Sequence, residues 1–271
     1  MESQPSGPLD DHADSSVADA ISQALELEQF FLVYQPEFDL HSNAFVGVES
    51  LIRWRDPLRG VVSPDVFLPV LEASGQIIPV GRWTLQTACQ QGAEWHDKGY
   101  RFSVSVNISQ RQFDGPELFA DVTDALGVSR FPPSHLVLEL PQSTLASADR
   151  VERLKVLRSL GIRVAIDDIE LDSVDVVRLM KAPIDIVKID RHFVAKVTGP
   201  TAAELLHSLV RQAKENAIQV VAAGIEDAGQ RDLLQIEQVG VGQGFHFSVP
   251  REAGDIDQLL LDFSIFSGKP L

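Results

Sequence analysis

The sequence is poor in cysteine and has no long hydrophobic run. Cys89 is the only cysteine among 271 residues, which excludes internal disulfides and metal clusters held by several thiolates. No stretch of about 18 apolar residues occurs, so the sequence predicts no membrane span. The first residues also lack the basic start and apolar segment of a secretory signal. Together these absences predict a cytoplasmic protein.

The sequence is also poor in basic residues. Lys and Arg number 23 against 39 Asp and Glu, which gives a formal net charge of -16, and neither Lys nor Arg occurs before Arg53. Because binding to duplex DNA needs a basic face for the phosphates, this balance excludes DNA as a partner. A small phosphorylated ligand is still compatible, since metal ions or a few local basic residues can meet its charge.

Two motifs of hydrolytic enzymes are also missing. The seven His residues include no His-x-x-x-His pair, and no Gly-x-Ser-x-Gly sequence occurs. A zinc hydrolase and a serine hydrolase of the nucleophile-elbow type are therefore disfavoured. Residues 1–16 are rich in Ser, Pro, Gly and Asp, which predicts a disordered acidic tail. Residues 17–271 are long enough to form one domain with a full core.

Within this domain, short apolar strands alternate with helical stripes. The first two strands are joined by the turn residues His41-Ser-Asn43, which predicts a hairpin. The eight strands are predicted at residues 31–36, 44–54, 102–108, 136–140, 163–168, 184–189, 219–223 and 241–247. This order predicts an α/β fold, a modified TIM-like (β/α)8 barrel whose first strand is antiparallel. A doubly wound open sheet is the alternative, and the lack of a glycine-rich phosphate motif after any strand disfavours it.

Polar side chains lie on or at the end of six of these strands. A carboxylate in an apolar strand is costly unless it is paired or coordinated, so this recurrence predicts a site at the carboxyl-terminal end of the barrel. Carboxylate and amide oxygens suit Mg²⁺, Mn²⁺ or Ca²⁺ better than zinc. Two basic residues could meet phosphate oxygens. The residues are Glu49 and Arg53, Asn107, Glu139, the adjacent pair Asp167 and Asp168, Lys188, and Gln243.

The motifs around these residues resemble the EAL family of cyclic di-GMP phosphodiesterases. The resemblance extends from about Leu25 to Phe263, and the motifs occur in the family's order. They are Tyr34-Gln-Pro36, Glu49-Ser-Leu51 in the place of the signature Glu-Ala-Leu, Ile52-Arg-Trp54, Val106-Asn-Ile-Ser109, Lys188-Ile-Asp190 and Gln243-Gly244.

The resemblance implies a barrel with an antiparallel first strand and cleavage of one phosphodiester of cyclic di-GMP, giving linear pGpG. It implies Mg²⁺ or Mn²⁺ as cofactor. Its implied residue roles are as follows: Glu49, Asn107, Glu139 and Asp167 hold a first metal, Asp167 and Asp168 support a second, Lys188 and Asp168 act in catalysis, and Gln35, Leu51, Arg53, Glu226 and Gln243 contact the ligand.

Three departures from the family pattern bear on activity. Ala223 stands where the family has a Glu that serves the second metal, and a methyl group binds no metal and accepts no proton. The glycine-hinged loop expected after Asp168 is replaced by Ile169 to Ser173, which contains no glycine. The Glu that anchors this loop is Gln142. These changes predict that the first metal site persists while the second metal site is damaged.

Three functions are compatible with this pattern. The favoured one is a degenerate EAL domain that binds cyclic di-GMP with little or no hydrolysis and signals through an unidentified protein partner. The first alternative is an active phosphodiesterase in which Glu170, Asp172 or Asp227 replaces the missing acid. The second alternative is a protein-interaction scaffold that binds no nucleotide. Family members often form dimers near the altered loop, so the resemblance also implies a possible homodimer.

Overall fold

The computed structural model describes residues 18–169, 175–197 and 199–267. The predicted tail at residues 1–16 lies outside the described residues. The same holds for residues 170–174, which form most of the altered loop after Asp168 and include two of the acids considered as substitutes, Glu170 and Asp172.

Eight strands close into a barrel, and one further short strand, β3, pairs with β2 outside the ring. The order β1-β9-β8-β7-β6-β5-β4-β2 is closed by pairing between β1 and β2, and β3 pairs with the end of β2 outside the ring. The strands are β1 Phe30–Asp39, β2 Phe45–Asp56, β3 Gly60–Val62, β4 Ser103–Asn107, β5 Leu136–Pro141, β6 Arg163–Ile169, β7 Ile186–Ile189, β8 Gln219–Ala222 and β9 Val241–Gln243. The predicted barrel is confirmed, and the sequence reasoning missed β3.

Helices surround the barrel and connect its parallel strands. The helices are α1 18–22, α2 Pro64–Ser74, α3 Ile77–Asp97, α4 Gln110–Asp114, α5 Leu118–Ser129, α6 Ala148–Ser159, α7 Val176–Lys181, α8 Arg191–Val194, α9 Pro200–Glu215, α10 Ala228–Ile236 and α11 Ala253–Ser267. Among the residues described, none of these helices combines the length and apolar character that crossing a membrane requires.

The antiparallel first strand follows from the turn between β1 and β2. The Asp39 carboxylate accepts hydrogen bonds from the backbone N–H of His41 at 3.0 Å and of Ser42 at 2.7 Å. Asn43 takes the left-handed backbone conformation at φ 55°, which Asn tolerates better than most residues. The chain therefore reverses at once, and β1 runs antiparallel to both of its neighbours, β2 and β9.

The end of β9 differs from the sequence prediction. The strand was expected to continue to residue 247 and instead stops at Gln243. The backbone N–H of Phe247 bonds to the carbonyl of Gly244 at 3.0 Å, and the N–H of His246 bonds to the carbonyl of Ile225 at 3.0 Å. A β-carbon on Gly244 would lie 2.1 Å from that same carbonyl oxygen, so glycine is required for this close turn.

The main core fills the space between the barrel and its helices. Cys89 and Trp95 are fully buried there, and Trp54 is fully buried in a second cluster with Phe30 and Phe67. A separate small group of apolar side chains lies inside the barrel and includes Val137, Ala165 and Val221. Because side chains alternate across a strand, the residues two positions further along each strand also point inward, toward the end where the predicted site lies.

Candidate functional site

A β-bulge places the Asp167–Asp168 pair beside Lys188. Between β6 and β7 the pairs Ile166↔Val187 and Ile169↔Ile189 are in register, so the two aspartates stand opposite the single residue Lys188. Asp168 takes a left-handed backbone conformation at φ 53°. Bulges of this kind re-aim side chains and are frequent next to active sites. The bulge therefore explains how adjacent acids can both lie near one cavity.

Lys188 is the charged centre of the site. Its side chain is 2% exposed, and its Nζ donates to Glu49 Oε2 at 2.8 Å and to Glu139 Oε2 at 2.6 Å. Asp167 Oδ1 lies 3.9 Å from the same nitrogen. Burial alone would lower the pKa of Lys188, but the charges of Asp167, Glu139 and Glu49 outweigh it and raise that pKa well above its usual range. Lys188 is therefore an ammonium ion that neutralises part of a carboxylate cluster.

Glu49 is surrounded by donors. Asn107 Nδ2 donates to its Oε1 at 2.7 Å, and Gln243 Nε2 donates to its Oε2 at 2.9 Å. Burial raises the pKa of Glu49, yet the charge of Lys188 and these hydrogen bonds outweigh burial, so the pKa lies below its ordinary value. Gln243 Nε2 also reaches Gln35 Oε1 at 3.1 Å, whereas Gln243 Oε1 is buried without a partner among the described residues.

The remaining acids hold their protons more tightly. Burial, followed by the charge of Glu49, raises the pKa of Glu139 well above its ordinary value. Burial also raises the pKa of Asp167 from 3.8 to about 6, although Lys188 opposes the shift. The pKa of Asp168 is also raised, first by burial and then by the charge of Asp190. Such perturbed carboxylates at one end of a barrel are typical of functional sites.

A cavity of about 450 Å³ opens above these groups, and we call it the mouth cavity. Its walls include Leu51, Arg53, Asn107, Glu139 and both aspartates of the bulge, together with residues of α2, α3 and α4. The Arg53 guanidinium donates to the carbonyl of Ile52 at 2.8 Å and is half-buried. Glu226 is exposed in the loop between β8 and α10 and does not line this cavity.

The oxygen ligands in this group fit a hard divalent cation. Glu49, Asn107, Glu139 and Asp167 supply carboxylate and amide oxygens, which Mg²⁺ and Mn²⁺ prefer. The unpartnered Oε1 of Gln243 is a further oxygen beside them. Among the residues described, no three His, Cys, Asp or Glu side chains are already arranged to hold a metal ion. In this arrangement the Lys188 ammonium lies between Glu49 and Glu139.

The sequence profile of the EAL domain family matches residues 18–250 of this chain. The chain belongs to the EAL domain family. Signaling protein YkoW of Bacillus subtilis is 34% identical over 245 residues, which cover 89% of this chain and 31% of that protein. Cyclic di-GMP phosphodiesterase PdeR of Escherichia coli is 32% identical, with 86% of this chain and 36% of that protein covered. The chain thus spans about a third of the length of these two relatives.

Solved EAL structures have the same fold. The PaMucR phosphodiesterase in its c-di-GMP complex superposes with a TM-score of 0.85 at 31% identity, covering 89% of this chain and 99% of that one. The FimX EAL domain of Pseudomonas aeruginosa bound to c-di-GMP gives a TM-score of 0.78 at 23% identity, covering 87% of this chain and 96% of that one. The second likeness shows the fold alone.

The positions at which departures from the family motif were predicted can now be located. Ala223 directly follows β8, two residues after Val221, which is paired with Lys188 of β7. Gln142 begins a 3-10 turn after β5. Asp227, one of the acids considered as a substitute, caps α10 by accepting from the N–H of Gln230 at 2.9 Å and is exposed.

Sequence reasoning missed two charged residues that line the interior of the EAL barrel, Glu37 and Arg163. Glu37 is 7% exposed and lies on β1, two residues after Gln35 and therefore on the same inward face. Its spacing from Gln35 was the signal that could have revealed it. Burial raises the pKa of Glu37 from 4.5 to about 7. Lys188 and Arg163 act against this shift, while Glu49 and Asp167 add to it.

The buried acids should make folding stability depend on pH. An acid whose pKa is higher in the folded state binds protons more readily when folded. Its contribution to the free energy of unfolding is therefore complete below its ordinary pKa and is lost as the pH rises through its pKa in the folded state. For Glu37 this window runs from 4.5 to about 7. We expect the free energy of unfolding, measured with urea, to contain a component that falls across this window. Glu37→Gln should lose less stability than the wild type over the same range, and equal losses would contradict the assignment.

Proposed function

We propose that this EAL domain binds cyclic di-GMP at the mouth cavity with little or no hydrolysis and acts as a receptor in cyclic di-GMP signalling. The observation that carries the proposal is Ala223. It stands at the mouth end of β8 in place of an acid, beside otherwise intact carboxylates and Lys188. A site that keeps its oxygen ligands but lacks one proton acceptor retains affinity more readily than turnover.

The ligand is inferred from the relatives and supported by the chemistry of the site. PaMucR phosphodiesterase, at 31% identity, has been solved as a c-di-GMP complex. In this chain, Arg53 and Leu51 line the mouth cavity next to the carboxylates, as contacts to a nucleotide require. Glu49, Asn107, Glu139 and Asp167 would hold Mg²⁺ or Mn²⁺ there. Bound in that place, the cation supplies the positive charge that a phosphodiester needs in an acidic cavity.

One observation favours the alternative of an active phosphodiesterase. The predicted ligands of the first metal are all present, and Glu139 and Asp167 both lie around Lys188; a pure receptor needs such a set less than an enzyme does. In that case another acid would have to replace the one missing at Ala223. Asp227 is engaged as a helix cap, so it is a poor substitute. The scaffold alternative has less support, because the mouth residues are retained in a formed cavity of about 450 Å³.

A paired assay tests the proposal. Cyclic di-GMP is titrated into the protein by calorimetry with and without Mg²⁺ or Mn²⁺, and the same mixtures are then followed for linear pGpG. We expect saturable binding and little product. Turnover at ordinary enzyme rates would contradict the receptor function, and absence of binding heat would favour the scaffold.

The variant Arg53→Ala tests whether cyclic di-GMP binds at the mouth cavity. Loss of one hydrogen bond from a charged group should weaken cyclic di-GMP binding roughly 10- to 100-fold. Arg55→Ala is the matched control, because Arg55 lies on the same strand but packs on the Phe31 ring and is paired with Glu252 outside the mouth cavity. Equal effects of the two variants would argue against binding at the mouth cavity.

A receptor needs a way to pass its signal on. We therefore propose that a second protein reads the ligand-bound state and that the protein acts in the cytoplasm, either as a monomer or as a homodimer. Light scattering of the purified chain with and without cyclic di-GMP measures the oligomeric state directly.

A further inference from the structure

A second, smaller cavity of about 60 Å³ lies inside the barrel beneath the mouth. Glu139 and Lys188 belong to its wall, so this lower cavity lies directly under the carboxylate cluster. Half of its other lining residues are polar, and these are Glu37, Ser103, Ser105, Arg163 and Gln219. A polar cavity of this size has room for several water molecules, since one needs roughly 10–15 Å³.

Glu37 is built into this lower cavity. Its side chain is more than nine-tenths buried and lines the cavity. Gly47 on the neighbouring strand leaves room for it, because a β-carbon there would lie 2.6 Å from Glu37 Oε2. A buried carboxylate needs hydrogen-bond donors. Water in the lower cavity can supply them.

The charge of Glu37 acts on Lys188 and Glu139, which lie between it and the mouth cavity. Its negative charge acts to raise the pKa of Lys188 and of Glu139. The charges that act on Glu37 come from the acids Glu49 and Asp167 and from the cations Lys188 and Arg163. Arg163 is also engaged with Gln219, to whose Oε1 it donates at 2.6 Å. When Glu37 is ionised, it adds one negative charge at the lower cavity, beneath the carboxylates of the mouth.

We propose that Glu37 is a positioning residue that strengthens divalent cation binding at the mouth without touching the cation. Its carboxylate, solvated by water in the lower cavity, adds negative potential beneath Glu49, Glu139 and Asp167. This potential favours the approach of a doubly charged ion, because charges several ångströms apart still interact appreciably inside a protein. The inference rests on the metal site of the proposed function and adds a residue outside the ligand set.

The test is a calorimetric titration of the metal-free protein with Mn²⁺ alone, at about pH 8, where Glu37 is ionised. Glu37→Gln keeps the shape of the side chain and removes the charge, and it should weaken Mn²⁺ binding roughly 3- to 10-fold. Glu37→Asp keeps the charge and should recover most of the affinity. Glu204→Gln removes an exposed charge on α9 and should leave the affinity unchanged, which controls for net charge.

The possible results distinguish a failure of this inference from a failure of the proposed function on which it rests. If the wild type and Glu37→Gln bind Mn²⁺ equally, the role of Glu37 is overturned while the metal site stands. If the wild type takes up no Mn²⁺, the metal site is overturned and the inference with it. Urea unfolding establishes that each variant is folded. Glu37→Met, an apolar replacement of similar length, supplies a second uncharged variant, and the same weakening is expected from it.

Discussion

Replacing Lys188 with Met should lower the free energy of unfolding by about 3–5 kcal/mol. The ammonium bonds to both Glu49 and Glu139 within a fully buried group. Its removal leaves two carboxylates, with Asp167 close by, in a low-dielectric interior without a counter-charge. Because protonation of the acids relieves this repulsion, the loss should be larger at about pH 8 than at about pH 5. Urea unfolding at the two pH values measures both effects.

Mn²⁺ should restore part of the stability lost by Lys188→Met, because the cation can replace the missing positive charge among the same oxygens. A surface pair provides the control. Lys98 bonds to Asp257 at 2.6 Å, but both side chains are partly exposed, so Lys98→Met should cost no more than about 1 kcal/mol. A loss for Lys188→Met as small as that for Lys98→Met would show that the carboxylates are solvated in solution.

Ala223→Glu should raise the rate of cyclic di-GMP hydrolysis by roughly 10²- to 10⁴-fold, the usual contribution of a positioned acid or base. Ala223 follows β8 directly, and its backbone N–H bonds to the carbonyl of Ile189 at 3.1 Å, so the position is fixed next to the Lys188 strand. It is only partly buried, which leaves space for a longer side chain. Release of linear pGpG under Mg²⁺ or Mn²⁺ measures the gain.

Ala223→Gln is the matched control for this gain. The amide has the size of the carboxylate but binds a cation more weakly and accepts no proton, so it should leave turnover near the wild-type level. If Ala223→Glu also leaves turnover unchanged, the segment that follows Asp168 is the larger obstacle to hydrolysis. If the wild type already turns over at ordinary enzyme rates, Ala223 is not the defect assumed here.

The barrel and the inward-facing polar positions of the candidate site could be predicted from local patterns. Buried strands interrupted by single polar residues, such as Glu139 in Leu-Val-Leu-Glu-Leu, identify inward-facing positions without any knowledge of the fold. The antiparallel first strand was predictable because the Asp39–Asn43 turn has the composition of a hairpin. These features are determined by residues close together in the sequence.

Features that depend on distant neighbours could not be predicted in the same way. The bulge at Asp167 and Asp168 is defined by the register against β7, and the bridging of Glu49 and Glu139 by Lys188 joins three separate strands. Glu37 lay outside the predicted first strand, and the room for its side chain is left by Gly47 across the hairpin. The early end of β9 depends on the carbonyl of Ile225, which belongs to another loop.

The antiparallel direction of β1 also determines at which end the chain enters the barrel. In a barrel of parallel strands only, the first strand enters at the end opposite the ligand. Here Phe30 is paired with Trp54 at the mouth end of β2, and Gln29 accepts a hydrogen bond from the Trp54 ring nitrogen at 3.0 Å. The polypeptide therefore enters the barrel on the ligand side. The segment just before β1 packs beside this entry point, with Ile21 and Ala24 in the same apolar cluster as Phe30 and Trp54, so the approach of the chain to the barrel is a neighbour of the mouth cavity.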